Sequence, residues 1–162
     1  MAAELESVRN LLLQLFDEAF DHKAWHGPNL RGALRRVDAK QASWRPGSKR
    51  HSIAEIAVHC AYWKYATRRR IRNDKRGSFP LKGSNWFQLE SPLSQATWKG
   101  YLRLLDAEHE ALRDTLKSAP WERLASPDRR SATPAPQVYG IVLHDTYHAG
   151  QIRILKSLYN QK

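Results

Sequence analysis

Cysteine is nearly absent from this chain, which excludes the disulfide scaffolds on which many small secreted domains depend. The 162 residues include one cysteine, Cys60, and it has no partner for an internal bridge. No apolar run approaches the roughly 20 residues that a membrane-spanning helix needs. In a signal peptide a basic segment is followed by an apolar segment, and the first ten residues do not show this order. The sequence therefore predicts a soluble cytoplasmic protein that does not associate with membranes.

Acidic residues are also scarce. There are 16 Asp and Glu against 27 Lys and Arg, so the formal net charge is +11. Such a field attracts phosphate groups, nucleic acids and acidic small molecules without choosing among them. Hydrophobic residues make up 41% of the chain, which excludes a disordered protein. The length fits a single domain over residues 1–162.

Four segments place apolar residues at the three- and four-residue spacing of an amphipathic helix. They cover residues 4–22, 52–72, 93–118 and 136–159, and a shorter helix is predicted at 29–37. Ser52 and Glu55 have the spacing of a capping box, which indicates where the second long helix begins. Because no segment alternates in the manner of a strand, the sequence predicts an all-α fold, a four-helix bundle.

Two long connections separate the predicted helices. Residues 73–93 contain two glycines and two prolines among polar residues, and residues 119–136 form a second proline-rich connection. Both composition patterns are typical of loops. Long connections permit bundle topologies other than a simple up-and-down order.

Histidines give the strongest chemical signal. His144 and His148 are four residues apart in the last predicted helix, so their side chains share a face and can bind one metal ion. A catalytic zinc ion typically takes three protein ligands. His59 lies on the core-facing side of the second helix and is the best third ligand. The alternative is a hydrogen-bonded core histidine and a coincidental surface pair.

The remaining histidines are predicted to lie outside this cluster. His109 falls on the apolar stripe of the third helix, but it has no histidine or carboxylate partner at helical spacing on that stripe. It is therefore predicted to be a core or boundary residue. His22, His26 and His51 flank predicted helix breaks, which favours solvent exposure or local capping.

Several motifs resemble those of the DinB-like (DinB/YfiT) superfamily. They are His51–Trp63 preceded by Trp44-Arg45-Pro46, His144–Ile152, Trp25-His26-Gly27-Pro28 and Asn85-Trp86. The resemblance covers nearly the whole chain. It implies a four-helix bundle that binds a divalent metal, commonly zinc or nickel, through one histidine of the second helix and two of the last. The matching positions are His59, His144 and His148.

The resemblance also implies a chemistry. The family includes thiol-dependent S-transferases and a thiol-dependent isomerase, so we expect a small-molecule substrate and an anionic low-molecular-weight thiol. Three neutral imidazoles leave the charge of the ion uncompensated, and such an ion would activate a bound water or thiol. The expected activity is that of a metal-dependent transferase or hydrolase. Metal affinity is predicted to fall as the pH drops through the ordinary histidine pKa of about 6.5.

The sequence names no general acid or base. Asp145 is rotated about 100° from His144 around the helix, which indicates a surface carboxylate or one that supports a metal ligand. The candidates for lining a pocket near the metal are Tyr62, Trp86, Tyr147 and Gln151, and an ordinary packing role is an equal alternative for each of them. Cys60 is predicted to be a small buried residue, since the sequence shows no base beside it.

Two other functions compete with an enzyme. Residues 68–76 hold six basic side chains in nine positions, which suits electrostatic binding to nucleic acid. The same run is also typical of a solvated helix C-terminus, and no helix-turn-helix or zinc-finger spacing is present, so no specific nucleic acid is predicted. A metal-stabilised interaction module without catalytic activity is the third possibility.

Large aromatic side chains indicate self-association. Trp25, Trp98 and Trp121 occupy positions that a bundle core need not absorb, and exposed tryptophans are typical of interfaces. The sequence therefore predicts a homodimer.

Overall fold

A computed structural model describes residues 2–121 and 135–162. Within these ranges the secondary structure consists of helices, with no strand. In chain order they are α1 (Ala2–Phe20), α2 (Leu30–Leu34), α3 (Ala39–Ser43), α4 (Ile53–Arg72), α5 (Gln95–Ser118) and α6 (Ala135–Asn160). The all-α prediction is confirmed, and the four long helices lie within two residues of their predicted bounds.

The short helix predicted at 29–37 is confirmed as α2, although it ends at Leu34. Asn29 caps α2 by accepting a hydrogen bond from the Gly32 amide at 2.8 Å, but the backbone turns extended at Arg35. Asp38 then caps α3 by accepting from the Gln41 amide at 2.8 Å. The sequence did not indicate α3, because a helix of five residues carries too little apolar periodicity.

The start of α4 confirms the predicted capping box. The Glu55 amide donates to the Ser52 hydroxyl at 3.2 Å, and the Ser52 amide donates to the Glu55 carboxylate at 2.8 Å. Arg45 adds a 2.6 Å ion pair to the same carboxylate. These contacts satisfy helix-terminal donors and set where α4 begins.

The long helices pack into a bundle around α4, which lies against both α5 and α6, while α1 packs against α6 and α5. Trp98 is fully buried at the centre of this core, and Trp121 is only 6% exposed. Their indole N–H groups donate to the carbonyls of Val37 and Leu116, both at 2.8 Å. Of the three tryptophans predicted to face a partner, Trp25 alone is exposed. The homodimer stays a prediction, and Trp98 and Trp121 no longer support it because both are buried in the chain's own core.

The connection between α4 and α5 contains no helix or strand, as predicted. The second predicted connection, at 119–136, falls largely on residues 122–134, which lie outside the described residues. Among the described helices, none combines the length and the apolar character that crossing a membrane requires.

Candidate metal centre

The structure brings the three predicted histidines together between α4 and α6. The Nε2 atom of His144 lies 2.9 Å from that of His59 and 3.2 Å from that of His148. Metal–nitrogen bonds of about 2.0–2.1 Å in a tetrahedral site place the nitrogens about 3.3 Å apart. The observed separations therefore fit three ligands of one ion.

Helix periodicity explains this convergence. His144 and His148 are one helical turn apart on α6, and His59 projects from the face of α4 that packs against α6. His59 and His148 are 5% and 4% exposed, and His144 is half-buried. Burying a polar imidazole is unfavourable unless each nitrogen has a partner.

The outer nitrogens of two histidines have such partners. His59 Nδ1 donates to the Asn85 carbonyl at 2.9 Å, and His148 Nδ1 donates to the Gln151 side-chain oxygen at 2.7 Å. The Gln151 amide nitrogen in turn donates to the Tyr147 hydroxyl at 2.8 Å. We assign the ring proton of both histidines to Nδ1 on this basis, which leaves the lone pair on Nε2.

This tautomer assignment is compatible with a cation at the centre of the cluster. Two Nε2 lone pairs point at His144 Nε2, and one proton there can serve only one of them at a time. A cation placed among the three nitrogens would accept all three lone pairs. The Nδ1 atom of His144 is buried without a hydrogen-bond partner among the described residues.

Burial keeps the three imidazoles neutral. Desolvation is the largest cause in each case, and it lowers the pKa of His144 to about 3 and that of His148 to about 4. The pKa of His59 is also lowered, although its hydrogen bond to Asn85 opposes the shift. From the sequence, metal affinity was predicted to fall as the pH drops through about 6.5. The lowered pKa values now predict that this fall occurs at a lower pH.

The connection after α4 supplies an aromatic ring that covers one face of His59. Trp86 is stacked between His59 and His51, with centroid distances of 3.8 and 3.6 Å. The sequence predicted Trp86 near the metal and His51 in solvent or at a cap. His51 is exposed, as predicted, and its ring lies against the outer face of Trp86 beside the site.

Two of the other predicted pocket residues, Tyr147 and Gln151, also lie at the site. Together with Trp86, His148 and Leu158 they line a cavity of about 590 Å³. Lys49 and Arg50 border the same cavity, and no carboxylate is among its lining residues. Tyr62 is absent from it and packs against Phe79 instead. The prediction for Tyr62 is therefore wrong, because the side chain leaves α4 in another direction.

A buried ion pair lies next to the histidines. Asp145 is 1% exposed and accepts a hydrogen bond from Lys64, which is fully buried. The Lys64 ammonium also lies 5.4 and 5.1 Å from the ring centroids of Phe16 and Phe20. Asp145 is therefore not a surface carboxylate. The sequence did contain a signal for this buried ion pair. Lys64 follows Cys60 by four residues and Ala61 by three, so it lies on a helix stripe that otherwise carries small apolar residues.

Cys60 is buried, as predicted, and belongs to a second potential ligand group with His144 and Asp145, whose ligand atoms lie within 4.8 Å of one another. Burial raises the pKa of the Cys60 thiol well above its usual value, and the charge of Asp145 acts in the same direction. Lys64 already compensates Asp145. The His59, His144 and His148 group is therefore the better metal site.

Comparison with protein families agrees with this geometry. The family model of the DinB superfamily matches residues 4–152, which include all three histidines. The chain belongs to the DinB superfamily. This superfamily is metal-binding, and the histidine cluster is the candidate site in this member. No curated protein and no solved structure gave a significant match.

His109 lies outside the metal centre of this DinB protein, as predicted. Its ring is stacked on Phe20 and Phe16, with centroid distances of 3.7 and 4.3 Å, and it is 4% exposed. Burial is the main cause that lowers the pKa of His109 to about 2, and the charge of Lys64 adds to it. His109 is therefore a neutral core residue.

Replacing His109 by leucine is expected to make this DinB protein less sensitive to acid. The unfolded chain binds a proton at His109 at a pKa of about 6.5, whereas the folded chain does not until about pH 2. Stability therefore falls as the pH drops between these values, by about 1.4 kcal/mol per pH unit from this group. Urea denaturation of the metal-free protein at pH 7, 6 and 5 measures the slope. The exposed His26→Leu variant should keep the wild-type slope, and an unchanged slope in His109→Leu would contradict the assignment.

Proposed function

We propose that this chain is a metal-dependent enzyme that holds one zinc or nickel ion through His59, His144 and His148. The observation that carries the proposal is the convergence of three Nε2 atoms while two Nδ1 atoms donate to Asn85 and Gln151. Neutral imidazoles with lone pairs directed at one point are the donor set that such ions prefer. Membership of a metal-binding superfamily supports the same conclusion.

A divalent ion held by three neutral imidazoles supplies Lewis acidity, which lowers the pKa of a coordinated water or thiol. The chain's own residues prepare the site for this chemistry. Asn85 and Gln151 hold two imidazoles in the required tautomer and orientation. Trp86 covers the face of His59 and shields it from water.

The cavity beside His148 supports a small anionic thiol as co-substrate. Its volume of about 590 Å³ lies in the range of about 300–1,000 Å³ that is usual for small-molecule sites. Lys49 and Arg50 place positive charge at this cavity, and no carboxylate lines it to oppose them. Ile154 and Leu158 provide an apolar wall for an acceptor.

The proposed reaction is transfer of the thiol to an electrophilic carbon. The thiol loses its proton to solvent, its sulfur forms a bond to the carbon, and the bond from that carbon to the leaving group breaks. The leaving group departs with the electron pair of the broken bond, so charge and atoms balance. Hydrolysis would use water in place of the thiol.

The test combines metal analysis with a thiol-transfer assay. The wild-type chain, purified without chelator or affinity tag, is expected to contain one metal ion per chain and to consume a carboxylate-bearing thiol in the presence of an alkyl halide. The triple His59→Ala, His144→Ala and His148→Ala variant is expected to lose both properties. Lys49→Ala should raise KM for the carboxylate-bearing thiol more than for a neutral thiol, whereas Lys40→Ala, outside the cavity, should not. Metal binding without turnover of any thiol or water substrate would instead favour an interaction module.

A further inference from the structure

A second cavity lies between α4 and the connection that follows it. Its volume is about 500 Å³, and it shares no lining residue with the cavity beside His148. The C-terminal half of α4 forms one wall, and residues 76–84 of the connection form the other. It includes part of the basic run 68–76, to which the proposed metal chemistry assigns no role.

Positive charge in this cavity is uncompensated. Its lining includes four cationic side chains and no carboxylate: Arg69, Arg70, Arg76 and Lys82. Within the described ranges, none of the four forms a salt bridge. The neighbouring arginines differ in this respect, since Arg68 pairs with Glu108 at 3.0 Å and Arg72 pairs with Asp74 at 3.1 Å. Arg69 donates one hydrogen bond to the Asp74 carbonyl at 3.1 Å, and the Arg70 guanidinium lies 5.7 Å from the ring centroid of Trp63, so neither is neutralised by a carboxylate. Such arginines suit a phosphate group, because the guanidinium can donate two parallel hydrogen bonds to its oxygens.

Aromatic rings form another part of the cavity wall. Phe79 lies 5.4 Å from Tyr62 and 5.3 Å from Tyr65, measured between ring centroids. All three side chains line the cavity, and Tyr62 and Phe79 are only half-buried. Half-buried rings offer flat apolar surface on which a planar ligand group can stack.

The two walls are joined by direct contacts. The backbone amide and the hydroxyl of Ser78 both donate to the Tyr65 hydroxyl at 3.3 Å. Gly77 and Gly83 have φ angles of +112° and +121°, a region that L side chains rarely adopt. The connection is thus turned back toward α4, and the cavity exists before any ligand binds.

We propose that this cavity binds a small molecule that carries both a phosphate group and a flat ring, as a nucleoside monophosphate does. Cationic side chains without a carboxylate partner bind the phosphate, and the rings of Tyr62 and Phe79 contact the planar group. Convergence of the cations on one cavity of small-molecule size favours such a ligand over a nucleic-acid strand, which needs charge spread along a path. The site is independent of the metal centre and of the proposed reaction.

Calorimetric titration of the full chain with AMP tests this proposal. Arg76→Ala and Lys82→Ala each remove an exposed side chain, so folding should be unaffected, and each is expected to weaken AMP binding about 10-fold. Lys75→Ala is the matched control, because it removes the same charge from the same connection but does not line the cavity. Its affinity for AMP should stay close to that of the wild type.

Further titrations test which parts of AMP are needed for binding and whether the second cavity binds it without the metal centre. Adenosine and inorganic phosphate are each expected to bind more weakly than AMP, and His144→Ala, which removes a candidate metal ligand on α6 away from the connection, should bind AMP as the wild type does. An equal loss in Lys75→Ala and Arg76→Ala would overturn the proposal, since it would show a general effect of charge. Binding of single-stranded RNA without binding of AMP would also overturn it.

Discussion

Replacing any one of His59, His144 and His148 by alanine is expected to lower the affinity for zinc or nickel by more than about 100-fold, since even residues that only support a ligand contribute about 10–100-fold. The physical reason is the loss of one of three converging donors, after which the remaining two hold the ion through fewer bonds. Competition with a chromophoric chelator measures these affinities. His109→Ala is expected to leave the affinity almost unchanged even though it removes a buried ring.

The pH dependence of metal affinity provides a second measurement on the same variants. Protons compete with the metal only where an imidazole is charged in the metal-free folded protein. Because burial lowers the pKa of all three imidazoles, to about 4 for His148 and about 3 for His144, the fall in affinity should lie at a lower pH than the ordinary histidine pKa of about 6.5. A steep fall centred at about pH 6.5 would show that the histidines are solvated. Metal retained equally by the triple alanine variant would disprove the site.

Breaking the buried Lys64–Asp145 pair is expected to have the largest effect on stability. Asp145→Ala leaves the Lys64 ammonium buried beside Phe16 and Phe20 without a counter-charge, and loss of one partner of a buried pair costs about 3–5 kcal/mol. Replacing both residues, as Lys64→Met with Asp145→Leu, should recover most of this loss, because well-packed apolar groups need no compensation. Urea denaturation of the metal-free proteins measures the free energies of unfolding.

The exposed Arg72–Asp74 pair is the matched control for this experiment. Both side chains are about half exposed, and Arg72→Ala should change stability by less than about 1 kcal/mol. A loss in Asp145→Ala no larger than that in Arg72→Ala would mean that water reaches Lys64. A double variant as unstable as Asp145→Ala would mean that the ion pair itself stabilises the bundle.

Different faces of helix α4 contribute to the candidate metal centre, to the buried ion pair and to the second cavity. His59 faces α6 and contributes to the metal centre, and Lys64 reaches into the core to Asp145. Tyr62 and Arg69 line the second cavity on the side of the following connection. The same connection supplies Asn85 and Trp86 to His59, so it contributes residues to both sites.

Local features of the sequence were enough to predict the helices and most of the metal centre. Apolar periodicity predicted the four long helices, and Ser52 with Glu55 predicted the start of α4. The four-residue spacing of His144 and His148 placed two imidazoles on one face, because helix geometry depends only on positions along one segment. Apolar periodicity placed His59 on the core-facing side of the second helix, and the resemblance to the DinB-like superfamily implied the same third ligand.

Tertiary structure decided what depends on contacts between segments. Trp86 and Asn85 come from a connection without periodicity, so no pattern could place them against His59. Periodicity shows that a helix face is buried but not what covers it. For this reason Trp98 was misplaced on the surface, and the sequence left open whether Asp145 is a surface carboxylate. The lowered pKa values of His144 and His148 also belong to the folded state, since desolvation arises only when α4 and α6 pack around the imidazoles.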